Sequence, residues 1–263
     1  MSIQIVSDLH LEFRGNKFSG LITPSAPILG LLGDICVCGT TNDYNIFKDF
    51  IKYISKKFEY IIFITGNHEY YSDKKATHDD TINGINKKIK SYFKKYDNIF
   101  FLNNDSIKIE LKGKKYIFIG STLWSHIPND IKPRVCKLMN DYSTIRIEEN
   151  GEIRLFNIDD MTKLHNTAVK YIKKAIKKCK PDETIILLTH HKPIITKDLS
   201  DIYTYAYETD LTHNIIKKPV ILAAHGHTHE HMNLLINDVR IISNPKGYPG
   251  QKTNFNKSLS YNI

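Results

Sequence analysis

Cysteine is scarce in this sequence. Four of 263 residues are cysteines, at positions 36, 38, 136 and 179. That is too few to staple a chain of this length, so reduced thiols in a cytosol-like compartment are expected. Cys36-Val37-Cys38 leaves one residue between its sulfurs, a spacing zinc knuckles do not use, and the pair reads as buried thiols. No apolar run reaches the roughly 18 residues needed to cross a bilayer, so no membrane partner is expected. The N-terminus, Met1 to Asp8, has no basic region followed by an apolar run. It reads as an immediate strand rather than a signal peptide, and a cytoplasmic location is expected. Arginine is also sparse (Arg14, Arg134, Arg146, Arg154 and Arg240), so few guanidinium forks exist for phosphate or base contacts. Internal repeats, low-complexity tracts and Gly/Ser linkers are absent, which argues against solenoids and strings of domains.

What is present suits one globular unit, 41% hydrophobic and 25% charged. The net charge of +9 comes from lysine pairs such as Lys56-Lys57, Lys94-Lys95 and Lys177-Lys178, scattered along the chain. A basic surface attracts anionic substrates. Dedicated nucleic-acid binding needs clustering, so a nucleic-acid partner is not favoured. Short apolar runs at Ile3–Val6, Ile28–Leu32, Tyr60–Ile64, Tyr116–Ile119, Thr184–Leu188 and Pro219–Ala223 read as buried strands. Helical patterns lie between them at about 43–57, 81–95 and 160–179, and 233–242 reads as a hairpin turning at Asn237-Asp238. Strands alternating with helices predict an α/β fold. Residues 1–263 are read as a single domain, with an irregular, cap-like excursion at about 121–159.

The chemistry gathers where the strands end. Asp8 and His10 follow the first run, Asp34 the second, and Asn67, His68 and Glu69 the third. His190 and His191 follow the fifth, and His225, His227 and His229 the sixth. Each motif alone has an ordinary explanation as a cap, turn or surface residue. Together, all five deliver Asp, Asn or His to the one sheet edge where α/β proteins bind ligands. These residue types ligate divalent transition metals. A closed zinc site needs only four ligands. The set Asp8, His10, Asp34, Asn67, His190, His227 and His229 suits two ions about 3.5–4 Å apart that share a carboxylate.

The series resembles the calcineurin-like metallophosphoesterase superfamily, over nearly the whole stretch from Asp8 to His229. Gly120 to Trp124, Thr189 to Pro193 and Asn244 to Tyr248 are similar to a bacterial-type, largely uncharacterised branch of it. The resemblance implies a four-layer αββα sandwich, with two mixed β-sheets packed face to face and helices on both outer sides. It also implies one metal on Asp8, His10 and His229, a second on Asn67, His190 and His227, and Asp34 bridging them. His68 would contact the phosphate or protonate the leaving oxygen. One stretch departs from the pattern. Protein Ser/Thr phosphatases of the superfamily carry Gly-Asp-x-Val-Asp-Arg-Gly, whereas here Gly33 to Gly39 has Val37 for the second Asp and Cys38 for the Arg. Protein phosphatase activity is therefore disfavoured, and what orients His68 is left open.

The expected function is a dinuclear-metal hydrolase of phosphomonoesters or phosphodiesters, nucleotides included, by in-line attack of a metal-bridging hydroxide. Asp34 and His68 are the catalytic candidates. Mn, Fe, Zn and Co all suit the mixed oxygen and imidazole donors. His191, His225, Trp124 and Asn244 are candidates for contacts around the ligands or with substrate. Two other readings stand: a metal-dependent nuclease, and a non-enzymatic scaffold on the same fold. The sequence does not give the substrate, the metal or the oligomeric state.

Overall fold

The computed structural model describes residues 1–263. In chain order the elements are β1 (Ser2–Val6), β2 (Ile28–Leu32), α1 (Thr41–Ile54), β3 (Tyr60–Ile64), α2 (Ile82–Phe93), β4 (Ile99–Phe101), β5 (Asp105–Leu111) and β6 (Lys114–Ser121). Then come α3 (Lys132–Val135), α4 (Asp141–Thr144), β7 (Arg146–Glu149), β8 (Glu152–Leu155), α5 (Ile158–Lys178), β9 (Glu183–Thr189) and α6 (Thr204–Tyr207). The chain ends with β10 (Val220–His225), β11 (Met232–Ile236), β12 (Val239–Ser243) and β13 (Ser260–Asn262).

Side-chain alternation along the strands makes the layers. In β3, Ile61 and Phe63 join one apolar cluster, and Ile62 and Ile64 another. In β9, Ile186 and Leu188 meet that second cluster, while Ile185 and Leu187 face a third. Runs apolar on every residue therefore signal strands covered on both faces. The first sheet runs β13-β1-β2-β3-β4 and the second β11-β12-β10-β9-β6-β5. Each is parallel inside with antiparallel strands at an edge, β13 in one and β11 and β5 in the other. The cluster shared by both sheets fills the sandwich. Phe47, Phe50 and Ile51 of α1 and Ile85 and Ile89 of α2 cover the outside of the first sheet. Ala168, Ile172 and Ala175 of α5 cover the second. The result is the expected four-layer αββα sandwich. Asn157 and Asp160 form a reciprocal cap that fixes where α5 begins. Burying Ile172 contributes on the order of 1.5–3 kcal/mol. No helix is long and apolar enough to cross a membrane.

Residues 122–159 contain α3, α4 and the hairpin β7–β8, whose turn is Asn150-Gly151 with both residues at positive φ. Trp124, Ile127, Val135, Met139 and Phe156 pack into the α1–α2 cluster. The segment thus leaves the second sheet after β6 and lies against the helical layer of the first.

Candidate metal centre

Five short turns meet at the carboxyl ends of β1, β2, β3, β9 and β10. Asp8, His10, Asp34, His227 and His229 all have φ between 46° and 67°. Non-glycine residues pay about 1–3 kcal/mol each for such backbone, and they cluster where function requires it. The bend aims each side chain inward rather than along its strand. Close approach of the turns also needs glycine. A Cβ on Gly66 would collide with the Asp34 carboxylate, and one on Gly33 with the Gly66 backbone and the His190 ring.

Three overlapping donor groups result, of which one, His10, Asp34 and His68, lies between the other two and shares a residue with each. In the first, Asp8, His10 and His229 bring one donor atom each within 4.8 Å of one another. His10 Nε2 lies 3.1 Å from His229 Nε2, which lies 3.2 Å from Asp8 Oδ1. In the second, Asp34, His190 and His227 do the same. His190 Nε2 is 3.2 Å from both Asn67 Oδ1 and His227 Nδ1, and 3.4 Å from Asp34 Oδ1. Asp34 reaches both sets, with its other oxygen 4.0 Å from His10 Nε2. The carboxylates and the amide come from the first sheet, and three of the four imidazoles from the second.

Apart from His227, whose outward Nε2 has no partner, the outward nitrogens and amides are already engaged. His190 Nδ1 donates to the Leu32 carbonyl at 2.7 Å, which leaves Nε2 as a lone pair in the neutral ring. Asn67 donates its amide to Asp141, so its oxygen faces the cluster. His10 Nδ1 donates to Glu12, and His229 Nδ1 to a Gln251 oxygen that also accepts from the Tyr248 N–H. Acceptors thus converge on acceptors in a buried site, an arrangement that is stable only with cations between them. The donors fit divalent metal ions. Without metal, protons take that place. Burial opposes charge on His190, but Asp34 and Asp8 outweigh it and raise its pKa to about 9. Burial also works against Asp34, yet His190, His68 and His10 hold its carboxyl well below the usual range.

His68 lies beside both clusters. Its N–H donates to Asp34 at 2.9 Å, and its Nε2 is 3.2 Å from the Tyr248 hydroxyl. Burial disfavours the charged ring, but Asp34 and Glu12 raise its pKa to about 9. Sequence reasoning missed several supports here. Glu12 accepts from His68 and His10; burial pushes its carboxyl up, but those two histidines bring it below its ordinary value. Glu69 is fully buried and accepts the backbone N–H groups of Asp34, Ile35 and Gly66, tying the second turn to the third. Its closeness to His68 in sequence was the available signal. Asp141 begins α4, accepts from Asn67 and Tyr71, and gives no sequence cue.

The remaining candidates take varied positions. His191 donates Nδ1 to the Thr122 carbonyl, and its ring lies 4.1 Å from that of His227, tilted by 37°. His225 bonds its own loop at Gly226, and burial lowers its pKa to about 4. Trp124 packs between Tyr70 and Phe156, 5.4 Å from the His191 ring. Asn244 lies away from the clusters and clips β1 to the C-terminal segment through the Ile5 and Asn256 backbones.

Above the clusters opens a cavity of about 320 Å³. Tyr71, Tyr203, Tyr207 and Tyr248 line it, with Met139 and Asn140 on one side and Asp201 and Lys197 on another. The 192–208 loop behind it is pinned by a fully buried pair, Lys192 Nζ to Glu208 at 3.0 Å.

Comparison with known proteins gives the family and the fold. The family model for calcineurin-like phosphoesterases matches residues 1–231. An uncharacterized protein of Acanthamoeba polyphaga mimivirus is 32% identical over 276 residues, covering 97% of this chain and 94% of its own. The crystal structure of a phosphopantetheinyl hydrolase from Mycobacterium tuberculosis superposes with a TM-score of 0.70 at 16% identity, covering 94% of this chain and 90% of that one. At that identity the likeness is one of fold.

Proposed function

The chain belongs to the calcineurin-like phosphoesterases, and from that premise we propose that it is a dinuclear-metal hydrolase of small phosphoesters that prefers diesters to monoesters. One observation carries this reading: two donor clusters, each too electron-rich to stand alone, are joined by the single carboxylate of Asp34. Asp8, His10 and His229 would hold one ion, and Asn67, His190 and His227 the other, with Asp34 shared. Bound metals supply an activated water near neutral pH and offset charge on the phosphoryl oxygens. Mixed oxygen and imidazole donors suit Mn, Fe, Zn or Co.

The chain's own groups do the rest. His68 turns Nε2 toward the cavity, where it can hold a proton for the departing ester oxygen. Tyr71 stacks on His68 at 4.2 Å and restricts the ring. The turns shield the floor from bulk water, as Asp8, His10 and His190 are fully buried. Residues 1–263 act in this reading as one domain, with 121–159 forming a side wall of the cavity.

The diester preference comes from the lining. Its one lysine, Lys197, is half-exposed and already paired with Glu230 at 2.9 Å, Glu208 is neutralised by the buried Lys192, and Asp201 adds acidity. A dianionic monoester finds no arginine fork to offset its second charge, whereas a diester carries one charge. The tyrosines suit a flat or apolar ester group. The solved neighbour is named as a hydrolase of phosphopantetheinyl groups, which is compatible with a small ester. A polyanionic strand would meet the acidic rim, which disfavours the nuclease reading.

A turnover screen with Mn²⁺ tests this, using p-nitrophenyl phosphate, bis-p-nitrophenyl phosphate, cyclic nucleotides and single-stranded nucleic acid. The bis ester should show the higher kcat/KM, and chelation should abolish turnover. Faster cleavage of the monoester would overturn the diester preference. Inactivity on every ester with Mn, Fe, Zn and Co alike would remove the hydrolase reading.

A further inference from the structure

Position 37 holds valine where the protein phosphatases of this superfamily carry an acid, and Val37 and Cys38 are buried in the apolar layer. Asp34 takes only the His68 backbone N–H, so no carboxylate from that stretch hydrogen-bonds the ring. A different one does. Glu12 lies in a short 3-10 turn, Leu11–Phe13, just after the Asp8-Leu9-His10 motif. Its Oε1 sits 3.0 Å from His68 Nδ1 and 3.1 Å from His10 Nδ1. The side chain is 7% exposed, and the two rings stand edge to face with centroids 4.5 Å apart.

An ionised carboxylate only accepts hydrogen bonds, so both Nδ1 atoms carry hydrogen. That fixes what the other nitrogen of each ring can do. His10 Nε2 turns to His229 and the first cluster as a lone pair, and His68 Nε2 turns to the cavity. We propose that Glu12 is the positioning residue for His68 in phosphoester cleavage, and that the same oxygen sets the ligating tautomer of His10. The first half rests on the role given to His68 above. Because one oxygen serves both rings, the proton donor keeps a fixed distance from the metal ligands. A carboxylate just after the first motif thereby engages the His68 ring, which no side chain of the second motif does.

Two readouts test it. In NMR of the metal-free protein, wild type should show hydrogen-bonded Nδ1–H resonances for both His10 and His68, and Glu12→Gln should shift both together. An unmoved His68 resonance would overturn the assignment. This holds whether or not any phosphoester is a substrate, so it separates the proposal from the proposed activity. The second readout is a series of phosphodiesters with progressively poorer leaving groups, measured at saturating metal with metal content checked by mass spectrometry.

A misplaced proton donor harms poor leaving groups most. Glu12→Gln should lose roughly tenfold on p-nitrophenyl esters and about 10²–10³-fold on alkyl esters. Adding it to His68→Ala should lower turnover little further. Glu12→Asp, which keeps the charge one methylene short, should recover part of the loss; it also serves if the Gln variant folds poorly. An equal loss across the series, or full additivity with His68→Ala, would overturn the role.

Discussion

The floor of the site and its rim are built by different means. The floor is made of short turns, each at the end of a buried strand with its ligands one to four residues on, and most of its side chains are locked by backbone carbonyls, carboxylates and amides. The rim comes from long excursions, 122–159 and 192–208, that place Met139, Tyr203 and Tyr207 from afar and leave Tyr203 44% exposed. The floor therefore has one arrangement, suited to fixed chemistry. Apart from Asp141, which holds Asn67, the rim can change composition without disturbing it, and it is the part that sets which ester enters.

Substitutions should divide along the same line. The largest effect is expected from Asp34→Asn, which removes the carboxylate common to both clusters. Metal content by mass spectrometry and turnover should be lost together; a variant that kept both ions would remove Asp34 as the bridge. Next comes His68→Ala, with turnover down by about 10²–10⁴-fold and metal content unchanged. Loss of metal in this variant would place His68 among the ligands instead. Tyr203→Ala, on the rim, should raise KM by about threefold to tenfold through lost stacking, while kcat and metal content hold. A fall in kcat larger than the rise in KM would blur the division.

The smallest effect is on stability. His68 and His190 are held at about 9 in the metal-free fold, against an ordinary value of 6.5. A raised folded-state pKa contributes stability that is complete below about 6.5 and lost as pH climbs through about 9. The metal-free protein should therefore melt at a lower temperature at pH 9 than at pH 7. The metal-loaded protein, in which His190 would already be a deprotonated ligand, should change less.

The same contrast explains what the sequence reveals. The floor is legible because a strand end followed by Asp, Asn or His is a local pattern, repeated in order. The layering is legible because strands apolar on every residue need cover on both faces. The supports are not. Asp141 orients Asn67 from 74 residues away, and His190 donates to a carbonyl 158 residues away. Glu12 reads as one more charged residue until the fold sets it under two rings. Short or half-exposed strands such as β4, β5 and β13 carry weak patterns, whereas the Asn150-Gly151 turn of β7–β8 was a local signal in a stretch that otherwise reads as irregular.

Asp8, Asp34 and Asn67 hang from one sheet and His190, His227 and His229 from the other. The gap between their donor atoms is therefore gauged by the thickness of the apolar filling, by Ile64, Leu188 and Ala224 and their neighbours. The sandwich works as a calliper. Trimming a methylene there would alter the separation of the jaws, so residues that never touch an ion or an ester still hold the tolerance to which the reaction is machined.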